Sequence, residues 1–92
     1  MEFEWDDTKA ASNQAKHYVS FEEAQTVFTN PLAVIFDDEE HSDDEKREII
    51  IGHSQTNRLL LVSFTERSNA IRIISAREAT RHERKEYEEN AF

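Results

Sequence analysis

Phe3 and Trp5 alternate with Glu2 and Glu4, the two-residue period of a strand that buries one face. Asp6 and Asp7 then supply carboxylates where a helix would start. The spacing predicts a first helix from Asp7 to about His17, rich in Ala and Lys, free of Pro and Gly, with Ala11, Ala15 and Tyr18 recurring on one face. Ser20-Phe21-Glu22-Glu23 reads as a capping box: the Ser20 hydroxyl accepts from the Glu23 amide, and the Glu23 carboxylate reaches back to the Ser20 amide. A second helix follows, with Phe21, Ala24, Val27 and Phe28 as its inward stripe, and Pro31 after Asn30 stops it.

From residue 32 the period becomes that of strands, over 32–36, 47–53, 58–66 and 70–75, all dense in Ile, Leu, Val and Phe. Gln55-Thr56-Asn57 and Ser68-Asn69 are short enough for hairpin turns, so the four strands read as an antiparallel meander. Strand 58–66 is apolar on both faces, with Leu59 and Leu61 on one and Leu60, Val62 and Phe64 on the other, which places it centrally. Ser75-Ala76-Arg77-Glu78 has the form of a second capping box and predicts a final helix with Ser75 as N-cap, Ala76 as its first residue and an end near Glu89. The expected order is β-α-α-β-β-β-β-α, an α+β domain with helices on one sheet. Residues 1–92 form a single domain, because a chain this short builds one core.

So small a core gives marginal stability alone and gains from a bound partner. Without Cys there is neither a disulfide framework nor thiolate chemistry. MEFEWDD lacks the basic and apolar regions of a signal peptide, and no apolar run is long enough to span a bilayer, so the chain reads as soluble and cytoplasmic. Eleven Lys and Arg against twenty Asp and Glu give a net charge of −9, which opposes binding to a polyanion. Seven of those acids fall in residues 37–45, DDEEHSDDE, where there is no Lys or Arg. Read as a solvated, mobile loop between strands, this run leaves eleven cations against thirteen acids elsewhere.

With the last helix starting at Ser75, Arg77 sits in its first turn, where the positive end of the helix dipole disfavours a cation unless an anion is shared. Arg81 and Arg84 follow at helical spacing and Lys85 adjoins them, a candidate phosphate-binding face. The competing structural reading is a solvated face whose arginines pair with Glu78, Glu83 and Glu88. Lys16-His17 neutralises the end of the first helix, and becomes a proton-transfer or phosphate-binding pair if the fold brings it to Arg77. His17, His41, His53 and His82 lack zinc-site spacing, and the acidic run lacks the glycine of a calcium loop, so no metal or cofactor is expected. A sole glycine, Gly52, rules out both a G-x-S-x-G elbow and a P-loop.

FEWDDTKAASNQAKH, VSFEEAQTVF, REIIIGHS and IRIISAREATRHERKEY resemble the BrnT family in order and spacing from Phe3 to Tyr87, the last segment being the most specific. Tyr18 departs from the pattern, since the family often has glycine after Lys-His. The resemblance implies a RelE-like fold and a ribonuclease toxin of a type II toxin–antitoxin system, neutralised by a BrnA-type antitoxin and reaching operator DNA only through it. It also implies metal-independent RNA cleavage that inhibits translation and growth. The ribose 2′-hydroxyl would attack the adjacent phosphate, which needs a base, a cation and an acid. Arg77 is then the cation, Lys16 and His17 move protons or position phosphate, Glu83 is a candidate base and Tyr87 a candidate acid. Arg47, Arg81, Arg84 and Lys85 would hold flanking phosphates. The structural alternatives are an internal Arg47–Glu83 ion pair, preferred for Glu83, and Tyr87 as a core-edge aromatic. The −9 charge favours two readings of another class: a non-catalytic, antitoxin-binding corepressor, and an acidic interaction module that mimics nucleic acid.

Overall fold

The computed structural model describes residues 2–41 and 45–90. The expected element order is present: β1 (Glu2–Glu4), α1 (Asp7–His17), α2 (Phe21–Thr26), β2 (Val34–Asp37), β3 (Glu48–His53), β4 (Leu59–Arg67), β5 (Ala70–Glu78) and α3 (Arg81–Asn90). Single 3-10 turns at Val27–Thr29 and Glu39–His41 follow α2 and β2. The second of these lies inside the acidic run, whose ends are also tied down by Lys46–Asp37 and Arg67–Glu45 ion pairs. Residues 42–44 of the expected loop lie outside the described residues.

The strands form one five-stranded sheet in the order β1-β5-β4-β3-β2. β2, β3, β4 and β5 pair antiparallel in succession, and β1 adds to β5 in parallel, a pairing the sequence pattern does not specify. β4 is central, as its two apolar faces require. Neighbouring residues of a strand point to opposite faces. Ile50, Leu60, Val62 and Phe64 therefore join the main core with Phe21, Ala24 and Val27, while Ile51 and Leu59 meet Tyr87 of α3 on the other face. Helices thus lie on both sides of the sheet rather than on one.

Phe21 and Phe64 are fully buried, and Phe28 bridges Phe3 and Phe64 edge to face. Each such ring contributes about 1.5–3 kcal/mol through burial. Gly52 lets the turn after α2 approach β3: a Cβ there would lie 2.7 Å from the Ala33 Cβ and 3.2 Å from a Val27 methyl.

Four expectations are corrected. The inward residues of α1 are Ala10, Asn13 and His17, not Ala11, Ala15 and Tyr18. Tyr18 is 80 % exposed and caps α1 in the left-handed region at φ 58, its N–H donating to the Gln14 carbonyl, so it serves the chain reversal that glycine usually serves. Ser20 caps α2 by accepting from the Glu23 amide at 3.0 Å, but the Glu23 carboxylate turns instead to Arg58, Ser54 and Thr56. Finally, β5 continues to Glu78, because its backbone pairs with β4 as far as Leu60, and Ser75 caps nothing. The capping box that starts α3 is Thr80–Glu83: the Glu83 amide donates to the Thr80 hydroxyl at 3.1 Å, and the Thr80 amide to the Glu83 carboxylate at 2.9 Å.

Buried Asn13 holds α1 to the sheet. Its side-chain amide donates to the carbonyls of Val19 (3.0 Å) and Ala76 (2.8 Å), and its oxygen accepts from the Ala76 amide at 3.1 Å. Asn13→Ala strips partners from three buried backbone groups. At roughly 1 kcal/mol for each bond lost, the variant is expected to lose about 3 kcal/mol in a urea titration. Tyr18→Gly relieves the left-handed backbone and is expected to raise stability by about 0.5–1 kcal/mol in the same titration.

Candidate active site

The sheet face on the α3 side carries the polar chemistry. Strand register sets Ile51, Leu61 and Arg77 side by side, and beside them Ile49, Ser63 and Ser75. A register shift at Ser63/Phe64 follows, with Phe64 opposite Ile73. This irregularity keeps Ile73 and Ala76 both in the core while Ser75 and Arg77 remain on the open face.

His17, at the end of α1, reaches the same place because Asn13 anchors its helix to Ala76, the neighbour of both Ser75 and Arg77. A groove of about 420 Å³ is lined by His17, Arg47, Arg77, Ser63 and Ser75. Lys16 lines a smaller hollow that shares His17 and Ser75 with it. Three candidate cations far apart in sequence, His17, Arg47 and Arg77, thus line one groove, with Lys16 at its margin.

Asp38 and Glu40 line this groove too. The acids that stand apart in sequence are folded back toward the cations, because Asp38 donates its amide to the Arg47 carbonyl at 2.9 Å and so extends the β2–β3 pairing. Sequence reasoning missed Asp38, Glu40, Ser63 and Ser75 as groove residues. The available signal was polar serines alternating with apolar residues along β4 and β5.

Arg77 lies on a strand, not in the first turn of a helix, so the dipole argument for a shared anion does not apply to it. Its guanidinium makes a two-pronged pair with Glu83, Nη1 to Oε1 at 2.8 Å and Nη2 to Oε2 at 2.9 Å, and Nη1 also donates to the Glu78 carbonyl. Glu83 is therefore ion-paired as expected, but to Arg77 rather than Arg47. The Arg77 contact and the Thr80 amide hold its carboxyl down at about 2, which makes it a poor base. The same contact raises the Arg77 pKa.

Tyr87 is buried, and its hydroxyl donates to the Leu32 carbonyl at 2.8 Å while its ring meets His53 edge to face. It lines a separate groove with Glu83 and is not among the residues of the His17–Arg77 groove. Arg81, Arg84 and Lys85 are exposed on α3 and do not line the Arg77 groove, which corrects the single face that a longer helix would have made. Glu78 pairs with Arg58, at the centre of a network that includes Glu23 and the Tyr18 carbonyl. The Arg58 contact, with Thr56 and Ser54, holds the Glu23 carboxyl at about 2. Among the described residues no group of three His, Asp or Glu converges as a metal-ligand set.

Residues 5–83 match the family model described as the ribonuclease toxin BrnT of type II toxin–antitoxin systems. The fold is similar to that of the Brucella abortus ribonuclease toxin BrnT, with a TM-score of 0.68 and 25% sequence identity over 88% of this chain and 99% of that one. No curated protein matches the chain.

Glu23 and Glu83 titrate near 2 in the folded chain against an ordinary 4.5, so the unfolded chain binds more protons between those values. Their stabilisation is complete above about pH 5 and is lost as pH falls toward 2. Glu83→Gln is expected to flatten the slope of urea-determined stability against pH in this acid window and to leave the Glu23 part in place.

Proposed function

The chain belongs to the BrnT family of ribonuclease toxins of type II toxin–antitoxin systems, and from that premise we propose that the His17–Arg47–Arg77 groove is where it cleaves RNA. The carrying observation is that His17, from α1, lines one groove with Arg77 of β5, 60 positions on in sequence. The proposed reaction is metal-independent transphosphorylation. The ribose 2′-oxygen attacks the adjacent phosphorus, its proton passes to a base, and the departing 5′-oxygen takes a proton from an acid. His17 is the proposed proton-transfer group, with Lys16 at the margin of the groove positioning the phosphate. Arg77 stabilises charge on the phosphorane oxygens, and Glu83 holds the guanidinium in plane for that task. Arg47 takes a flanking phosphate, and exposed Arg81, Arg84 and Lys85 attract the strand from α3.

On this reading the fold is RelE-like, cleavage inhibits translation and growth in the cytoplasm, and a BrnA-type antitoxin neutralises the toxin and carries it to operator DNA. The second reading is a non-catalytic, antitoxin-binding corepressor, favoured by the −9 charge and by Asp38 and Glu40 in the groove.

Incubating the purified chain with RNA in excess chelator distinguishes the two. Cleavage that persists, and that drops about 100-fold or more in Arg77→Ala and His17→Ala proteins of native stability, is the expected result. Intact RNA with the wild-type chain, together with harmless induction in cells, would favour the corepressor. Full activity in folded Arg77→Ala would remove Arg77 from the mechanism but leave the function standing.

A further inference from the structure

β2 ends the sheet, pairing with β3 along one edge. It is apolar, and among the described residues no strand pairs with its outer edge: Val34, Ile35 and Phe36 are 39%, 53% and 45% exposed, and Leu32 just before them is 49% exposed. These are four of the five large exposed hydrophobic side chains among the described residues. Natural edge strands are usually blunted by Lys, Pro or a covering segment. Val34–Asp37 holds neither Lys nor Pro, and its one charge, Asp37, stands at the strand's end.

Val34 and Phe36 line a groove of about 420 Å³ between β2 and α3, with Ile51 and Leu61 also lining it and His82 and Glu86 along the α3 side. Ile35 alternates to the other face of the strand. A helix laid in the groove would cover Val34 and Phe36 and leave Ile35 in water. An added strand covers both faces and satisfies the open edge.

Charge selects the occupant. β2 runs directly into Asp37, Asp38, Glu39 and Glu40, and Glu83 and Glu86 line the groove. A second copy carries the same net charge of −9, and like net charges oppose association. Asp37 and Glu83 already face Lys46 and Arg77, so it is the net charge of −9 that attracts a basic segment.

We propose that the free edge of β2 receives an extended, alternately apolar segment of the antitoxin, flanked by Lys or Arg, as a sixth strand; this rests on the toxin–antitoxin reading above. Leu61 lines both this groove and the His17–Arg77 groove, and the Arg77–Glu83 pair joins their walls. An occupant of the β2 edge therefore stands beside the cleavage site.

The test titrates a BrnA-type antitoxin onto the full chain and onto Ile35→Lys/Phe36→Lys. Both side chains are exposed, so the double variant is expected to unfold at the wild-type temperature and to cleave RNA at the wild-type rate. Antitoxin binding is expected to weaken at least about 100-fold, so that co-expressed antitoxin no longer rescues growth. Ile35→Lys alone, on the face away from the groove, is expected to show the same direction and serves if the double variant does not fold. In the wild-type complex, amide exchange at residues 34–37 is expected to slow, and added salt to weaken binding.

Unchanged affinity and rescue with the variants would overturn the proposal, as would unprotected amides at residues 34–37 in the complex. A wild-type chain that forms a dimer abolished by the double variant, or that does not bind this antitoxin, also overturns it. A wild-type chain that leaves RNA intact but binds antitoxin through β2 sinks the ribonuclease reading and leaves the docking edge in place.

Discussion

One buried side chain fixes the geometry on which the site depends. Asn13 is the only residue through which α1 reaches the β5 backbone by side-chain hydrogen bonds among those described, and it does so as donor and acceptor to the same residue, Ala76. A helix seated by apolar contact alone can slide or roll by a fraction of a turn at little cost. The Asn13 amide, satisfied on both sides, removes that freedom. Since His17 follows Asn13 by one helical turn and Arg77 follows Ala76 by one residue, the same contact fixes their separation.

A ring of ion pairs then fixes the surrounding elements. Arg58 joins α2, β5 and the end of α1 through Glu23, Glu78 and the Tyr18 carbonyl. Arg77 joins β5 to the start of α3 through Glu83. All three acids close sequence motifs of capping-box form, yet only the Glu83 carboxylate caps a helix, by accepting from the Thr80 amide. The Glu23 carboxylate finds a stronger partner in a guanidinium than in a neutral amide, which is why the local motif is overridden.

Element order, the central position of β4 and the core stripe Phe21, Ala24 and Val27 are all legible in the chain, because period and burial are local properties. The end of β5 is not. Ser75-Ala76-Arg77-Glu78 has the same form as a true cap, and only long-range pairing with Leu60 and Leu61 keeps it extended. Read as a cap, the segment puts Arg77 on a helix, away from its register partner Leu61 and from the Ser63–Ser75 pair beside it. The parallel pairing of β1 and the face taken by α3 were illegible for the same reason: each depends on contacts between distant segments. His17 and Arg77 were legible as candidates by residue type, but their meeting was not.

The folding back of Asp38 and Glu40 onto the basic groove has a thermodynamic consequence. Cations that face only solvent gather mobile anions, and binding a nucleic acid then gains entropy as ions are released. Here part of that ion atmosphere is replaced by carboxylates of the chain itself, which cannot diffuse away. On the proposed reading, an RNA strand entering the groove gains little from ion release and must be held by fit and by directed hydrogen bonds. Such a surface holds arbitrary polyanions weakly, a form of discrimination written into the charge distribution rather than into any single contact.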